Sequence, residues 1–440
     1  MGKLLNTKLF ALTVLALILI FAVSQVAWKV NERQATRNSV VQSIANQYAQ
    51  AQQLIGPLLW VKCSEPASLI ETDSHSSRRQ VVSHDCSRII RPDSLTGKGS
   101  IRVTERSRGI YKAPIYTADL QIQAVIPSFT AKPGQRIEET DLIFGVSDPR
   151  GIKRVRIISA DGHELAARPG IPGGPIPFGF HVPLDPAALN KIQNLTMELE
   201  IDGSGRLDFS PVAASNDFRL QSTWPHPSFV GLYLPEERKI GSNGFNARWR
   251  VSDFATGGDR VLTDLAHNAG KPGNWLAESF GVSLINPVDA YTQTDRAVRY
   301  GFLFVLLTLG GFFLFEMIQR KPVHPLQYLL IGAAVVLFFL LLLALSEHIA
   351  FAFSYLIAAT ACILLITAYG RTLIGSWRGT SVLGIGYTLL YIGLYMLLTS
   401  EDYALLMGAW LIFGLLALTM WLTRKLDWRA VGRGVDDEAT

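Results

Sequence analysis

The 440-residue sequence predicts a polytopic α-helical membrane protein with six transmembrane helices, carrying a large β-rich, antiparallel sandwich-like domain between helices one and two. Three observations carry that prediction. Six apolar stretches are each long enough to cross about 30 Å of hydrocarbon, which takes about 20 helical residues. Beyond residue 100 the hydrophobic period changes to two, the period of half-buried strands. Lys and Arg gather beside only one set of span ends.

Composition agrees. Charged residues make up 18% and hydrophobic residues 49% of the chain, against roughly 25% charged in ordinary soluble domains. With a positive mean hydropathy, a soluble or disordered chain is excluded. The formal charge of +5 says little until the charges are placed relative to the bilayer. Five segments follow: 1–28, N-terminus and first span; 29–57, a helical stalk; 58–298, the β-rich domain; 299–423, a five-helix bundle; and 424–440, a tail.

The spans are Leu9–Ala27, Tyr300–Ile318, Leu326–Leu345, Ile349–Tyr369, Val382–Leu398 and Tyr403–Leu422. Trp28, Tyr300, Tyr328, Tyr369, Tyr403 and Trp421 mark their ends as an interfacial belt would. With a cytoplasmic N-terminus, one side holds Lys3, Lys8, Arg320, Lys321, Arg371, Arg378, Arg424, Lys425, Arg429 and Arg433. The short turns opposite, Ser346–His348 and Thr399–Asp402, hold none and carry Glu347, Glu401 and Asp402. The positive-inside rule then puts both termini in the cytoplasm and residues 29–298 outside, in the periplasm of a bacterium. Leu9–Ala27 has a second reading as a cleaved signal, with Ala22-Val-Ser24 as the cleavage triplet; its apolar core is longer than the usual 7–15 residues, which favours an anchor. Either way the large domain is exported. The cytoplasmic pieces are too short to bury a core, so an ATPase, kinase or nucleic-acid-binding domain has nowhere to sit.

Val40, Val41, Ile44, Tyr48, Ala51 and Ile55 recur at helical spacing until Gly56-Pro57, which predicts a helix to about Ile55, either a stalk continuing the first span or, the favoured reading, a helix whose stripe packs on the following domain. Strand alternation follows in Leu120–Ile126, Leu195–Ile201, Phe245–Val251 and Phe280–Leu284. Gly203-Ser204-Gly205 reads as a hairpin turn into Arg206–Phe209, Asp161-Gly162 as a second turn, and the Gly/Pro-rich Ala167–Pro183 as a long loop. Face-to-face sheets or a partly closed barrel fit such a series. Cys63 and Cys86 flank a hydrophilic insertion on the oxidising side. The expectation there is a disulfide rather than two free thiols, closing a loop of about 24 residues at roughly 3 kcal/mol in the chain-entropy model. His75 and His84 match no standard ligand spacing, so no metal is expected. Cys362 lies mid-span as a small packing residue.

Gly97-Lys-Gly99 and Gly384-Ile-Gly386 complete no phosphate-cradling loop, and no Gly-x-Ser-x-Gly or His-Glu-x-x-His occurs. No catalytic residue or cofactor is expected. Glu347 and His348 could relay protons or sense pH, or simply occupy a wet turn. Glu316, followed by Arg320 and His324, has the parallel reading of an interfacial cluster. In Trp224-Pro-His-Pro-Ser-Phe229 two prolines stiffen the chain around His226, which suits either a binding loop or a strand crossover that packs Trp224 and Phe229. Asp289, Asp295, Arg296 and Arg299 could pair where the domain rejoins the bundle.

The Trp224–Phe229 string, with Gly231 and Leu234-Pro235, runs into Gly244-Phe-Asn-Ala-Arg-Trp249 and Val251-Ser252. Phe280–Asp289, Tyr291, Asp295-Arg296, Tyr300–Phe302, His324–Tyr328 and Ser346–His348 follow. Glu32-Arg33, Gly56-Pro57, Arg108–Tyr111 and Asp148 with Gly151-Ile152 come earlier. Together these resemble the CreD family of bacterial inner-membrane proteins along nearly the whole chain. The Cys63–Cys86 insertion and the Ala167–Pro183 loop stand outside the pattern. The resemblance implies a non-catalytic inner-membrane protein supporting or monitoring envelope integrity. In some bacteria such a protein is under a carbon-responsive two-component system, with effects on colicin tolerance and antibiotic sensitivity. Its partners would be the lipid bilayer and an envelope protein or wall component, with the oligomeric state open. The rivals are a transporter or flippase working through the bundle, and a periplasmic enzyme pairing His226 with a carboxylate.

Overall fold

The structure, a computed structural model, describes residues 2–73, 76–185, 193–257, 262, 278–284, 290–319, 323–399 and 404–424. It divides into two compact units, one of Met1–Asn38 with Val288–Thr440, the other of Ser39–Pro287.

One helix, α1 (Gly2–Gln47), belongs to both. No Gly or Pro occurs from Lys3 to Ile55, so nothing local breaks it, and the helical spacing expected to reach Ile55 runs past its true end. The residues that follow form β1 (Gln52–Asp73). β1 is central: it alternates Leu54, Leu59 and Val61 into one core with Ile55, Leu58 and Trp60 into another, so both faces are apolar. A strand buried on both sides shows no alternation in sequence, and here it imitated a helical stripe. Gly56-Pro57 is not a helix stop but an irregularity in the β1 ladder.

The second unit continues with β2 (Ser76–Ile90), β3 (Ser94–Arg108), β4 (Tyr111–Val125), β5 (Arg136–Val146), β6 (Ile152–Ser159), β7 (Glu164–Leu165), β8 (Arg168–Pro169) and β9 (Gly179–Pro183). Then come β10 (Asn194–Ser204), β11 (Arg206–Phe209), β12 (Ser215–Ser222), β13 (Pro227–Gly231), β14 (Glu237–Gly241), β15 (Gly244–Ser252), the short helix α2 (Asp253–Thr256) and β16 (Phe280–Leu284). They make two eight-stranded sheets. The first runs β13-β16-β11-β1-β5-β9-β8, with β2 also on β1; the second runs β14-β15-β12-β3-β4-β10-β6-β7. Their inner faces share one core, which holds Leu54, Leu59, Phe280 and Val282 of the first sheet with Leu195, Met197, Phe245 and Trp249 of the second, all at most 5% exposed. The sandwich is not purely antiparallel, because β1–β11 and β12–β3 are parallel neighbours.

Two further expectations are corrected. Gly203-Ser204-Gly205 turns the chain, with Gly205 at φ +69°, but β10 and β11 lie in different sheets. The turn is a crossover between layers, not a hairpin. Within the Ala167–Pro183 loop, β8 and β9 are paired strands.

The first unit holds α3 (Ala290–Arg299), α4 (Gly301–Gln319), α5 (Pro325–Ser346), α6 (Phe351–Ile374), α7 (Trp377–Thr399) and α8 (Ala404–Thr423). Among the described residues four helices are long and apolar enough to cross a membrane, or five when α3 and α4, bent by 46°, count as one span.

Candidate functional site

In the first unit, two polar clusters lie at opposite ends of α5. Beyond its C-terminus, Glu347 takes a hydrogen bond from the Tyr291 hydroxyl at 3.1 Å and faces Arg33 Nε of α1 at 3.5 Å. The Glu347 side chain is only 10% exposed. Thr294 and Ser346 hydroxyls meet beside it at 3.2 Å. At the other end, Glu316 pairs with Lys8 of α1 and accepts from the Tyr328 hydroxyl at 2.6 Å. The step from Tyr328 to Ser346 is about 27 Å at 1.5 Å per residue, close to the ~30 Å of hydrocarbon in a bilayer. Such spacing lets each charge reach polar surroundings while the helix between stays apolar.

Between the clusters the packing is close. A methyl on Gly332 would collide with Leu19, and one on Gly301 with Val23, so small residues on α5 and α4 let α1 approach. Phe304, Phe338, Phe339 and Tyr391 pack ring against ring with centroids 4.9–5.4 Å apart, Phe304 stacked on Phe338 and the other pairs edge-on. Three tyrosine hydroxyls here have polar neighbours: Tyr355 donates to the Tyr391 carbonyl at 2.8 Å, Tyr387 to that of Thr308 at 2.8 Å, and Cys362 sulfur lies 3.3 Å from the Tyr391 hydroxyl.

The sequence-derived candidates are placed as follows. His324 is the N-cap of α5: its Nδ1 accepts from Leu326 N, and its own N–H donates to the Gln327 side chain, a capping box with Pro325 in the first turn. Glu347 is turned to Tyr291 and Arg33, while His348 is exposed, so the adjacent pair does not form a relay. Asp295 pairs with Arg299 one turn on at 2.6 Å; Arg296 is half-buried on the same helix. Asp289 lies outside the described residues.

In the second unit, α1 is stopped by residues about a hundred positions away. Arg150 donates to the Asn46 carbonyl at 2.6 Å, capping the helix end, and clasps Asp148 through Nε at 2.9 Å and a terminal nitrogen at 2.6 Å. Asp148 also accepts from Gln50 N at 2.9 Å. Tyr48, Thr117 and Lys153 all converge on Asp202, which is 5% exposed. Gln52, 1% exposed, joins the two groups by donating to the Asp148 and Asp202 carbonyls, each at 3.0 Å. Gly151 has no room for a side chain against Asp202 and Gln52. The hydrogen-bonded Arg150 holds the Asp148 carboxyl below the usual range. Burial pushes the Asp202 carboxyl up, but bonds from Lys153, Thr117 and Tyr48 outweigh it and leave it low.

The Trp224–Phe229 string carries the chain from β12 in the second sheet to β13 in the first. Trp224 N donates to Ser222 Oγ and its indole N–H to the His226 carbonyl, each at 3.1 Å. Phe229 packs edge-on against Trp249 and Phe245 at 5.6 and 5.9 Å. His226 is exposed, and among the described residues its ring meets no carboxylate. A crossover accounts for the string; a His226–carboxylate pair is not assembled. Cys63 and Cys86 sit directly opposite on β1 and β2 and are joined by a disulfide. Glu65 lies close to both sulfurs, but bridged sulfurs are not thiolates and make no metal site.

The helix-stop clamp escaped the sequence reading, although Asp148-Pro149-Arg150-Gly151 is a capping string: Asp148 accepts from Arg150 N, with Pro149 in the first turn of a short 3-10 helix.

Residues 4–429 match the family described as Inner membrane protein CreD. The chain is also similar to the Inner membrane protein CreD of Escherichia coli (strain K12), at 34% identity over 435 residues, covering 96% of this chain and 93% of that one.

Proposed function

The chain belongs to the CreD family of inner membrane proteins, and from that premise we propose a six-span protein that supports or monitors the integrity of the cell envelope without catalysis. Both termini lie in the cytoplasm and the β-rich domain in the periplasm. α1, the bent pair α3–α4, α5, α6, α7 and the 20-residue apolar α8 are its spans. The observation that carries the reading is the arrangement of charge. Lys8–Glu316 and Arg33–Glu347 bracket one membrane thickness along α5, and every Lys and Arg of the short turns falls on the Lys8 side.

The clamp lies within the β-rich unit and can be broken at one position: Arg150, Asp148 and Gln52 fix the end of α1, and Gly151 leaves no room there for a side chain. Transport through the bundle is less well served, because the rings of Phe304, Phe338, Phe339 and Tyr391 pack against one another and are each at most 1% exposed.

A deletion strain carrying a periplasmic reporter enzyme tests the proposal. It should release more reporter and grow less well in detergent with chelator than the parent. Plasmid-borne wild type should restore both phenotypes, and Gly151→Val, which breaks the clamp, should not despite reaching the membrane. Equal leakage with and without the gene would contradict the envelope role.

A further inference from the structure

β1 and β2 outrun the sheet they belong to. β5 lies against β1 only as far as Ser64, opposite Arg136, whereas β2 stays paired with β1 to its end, Asp73 opposite Ser76. Among the described residues, Glu65–Asp73 pair with no strand but β2, and β2 with none but β1. The outer part is therefore a two-stranded ribbon, about 26 Å long at ~3.3 Å per residue. The Cys63–Cys86 bridge joins the strands at its base. Glu65, also at the base, is already engaged by Gln135 Nε2 at 3.0 Å and by Arg88 at 3.3 Å. A two-stranded ribbon on its own is marginal in water and needs a further layer against an apolar face.

The residues of the ribbon define that layer. From Glu65 to Asp73, β1 carries Glu65, Glu71 and Asp73 and no Lys or Arg. From Ser76 to Ser83, β2 carries Arg78 and Arg79 and no acid. Strand alternation divides the ribbon into two faces. Ala67, Leu69 and Glu71 share one face with Val82, Gln80 and Arg78, the residues opposite them. Ser68, Ile70 and Thr72 share the other with Val81, Arg79 and Ser77. The first face has an apolar stretch ending in an acid and a base side by side. The second has one Arg and no acid to answer it.

This distribution of charge selects both the occupant and its orientation. Edge to edge, a β1–β1 contact between two copies sets acid beside acid, and a β2–β2 contact sets Arg beside Arg, which destabilises a sheet. An edge contact of β1 with the β2 of another copy joins two different surfaces and does not close. Face to face about a two-fold axis along the ribbon, β1 of each copy lies over β2 of the other. Glu71 then meets Arg78 twice and Ala67 meets Val82 twice. Such a contact is isologous and closed, and only the first face suits it.

We propose that a second copy of this chain covers the Ala67–Glu71 and Arg78–Val82 face, the two ribbons stacked with Glu71 of each copy over Arg78 of the other. Two faces of this size bury less than the ~1,200 Å² of a stable interface, so the contact is weak and is best read by crosslinking in the native membrane. It uses nothing of the envelope reading and can fail without it.

Full-length protein carrying Leu69→Cys would be treated in native membranes with a short bis-maleimide. With Cys63 and Cys86 bridged and Cys362 buried, the new thiol is the one that reacts. Leu69→Cys should give a crosslinked dimer, and Ile70→Cys, on the opposite face, should not. Adding Arg78→Glu to Leu69→Cys should cut the yield at least about fivefold through like-charge contacts, and the swap Glu71→Arg, Arg78→Glu should restore it. Swapped and unswapped copies bearing different tags should crosslink to themselves but not to each other, because the mixed pair sets Arg over Arg and Glu over Glu. A Glu71–Arg78 contact confined to one ribbon would let them mix. No dimer at Leu69→Cys, equal yield at Ile70→Cys, indifference to Arg78→Glu, a swap that fails to restore the yield, free mixing of swapped and unswapped copies, or capture of a different protein in place of the second copy would each overturn the proposal.

Discussion

Replacing Gln52 by leucine is the sharpest test of the helix-stop clamp. The two side chains are similar in volume, so the change removes hydrogen bonds with little cavity. Two donations to the Asp148 and Asp202 carbonyls at 3.0 Å are lost, together with the Asp148 N–H bond to Gln52 Oε1 at 3.3 Å. The Asp148 carbonyl keeps a bond from Gly151 N, but the buried Asp148 N–H loses its side-chain acceptor. A stranded buried donor costs about 1–3 kcal/mol and each net bond about 1 kcal/mol, so the loss should be about 2–4 kcal/mol. For a domain of this size each kcal/mol moves Tm by about 2–4 °C, which gives a fall of roughly 5–15 °C. The assay is thermal unfolding of full-length protein in detergent, followed by strand circular dichroism and tryptophan fluorescence. Gln50→Leu, whose side chain is exposed, is the control and should shift the midpoint by no more than about 0.5 kcal/mol. If Gln52→Leu melts within 2 °C of wild type, the clamp does not hold the helix to the sandwich and the reasoning is wrong.

Three further predictions follow from the same structure. Asp148 and Asp202 have lowered folded-state pKa values, so their stabilisation is complete above the ordinary carboxylate pKa of about 4 and is lost as pH falls through the lowered values; the sandwich Tm should drop below pH 4 more steeply in wild type than in Asp148→Asn, and equal slopes would refute it. Gly332→Val should destabilise the bundle by about 1–3 kcal/mol through overpacking on Leu19, and Leu19→Ala should restore much of the loss; no rescue would mean the two helices do not meet there. Non-reducing mass spectrometry should find Cys63 linked to Cys86, whereas alkylatable thiols at both positions would contradict the bridge.

What could be read from the sequence was whatever is encoded within a few residues. The alternations at Leu195–Ile201 and Phe245–Val251 correspond to β10 and β15 with the apolar set inward. Among the described residues, four helices long and apolar enough to cross a membrane, or five with the bent pair, were legible from length alone, and the His324-Pro325-Leu326-Gln327 cap sits where α5 begins. What failed depended on distant partners. Asp202 continued the outward series of Thr196, Glu198 and Glu200, yet it is buried because Tyr48 and Lys153 reach it from other elements. The stop of α1 is supplied by Arg150 and Asp148, not by a local breaker. Lys8 and Glu316 are 308 residues apart, so neither could announce the other. A Gly-Ser-Gly turn likewise says that the chain reverses, not which sheet receives the next strand.

Alkaline phosphatase fusions along the bundle probe the proposed topology most directly, since the enzyme folds only where its disulfides form. Fusions after Ser346 and Ser400 should be active and fusions after Lys321 and Arg378 inactive. Activity in the opposite pattern would place the β-rich domain in the cytoplasm and remove the basis of the envelope role.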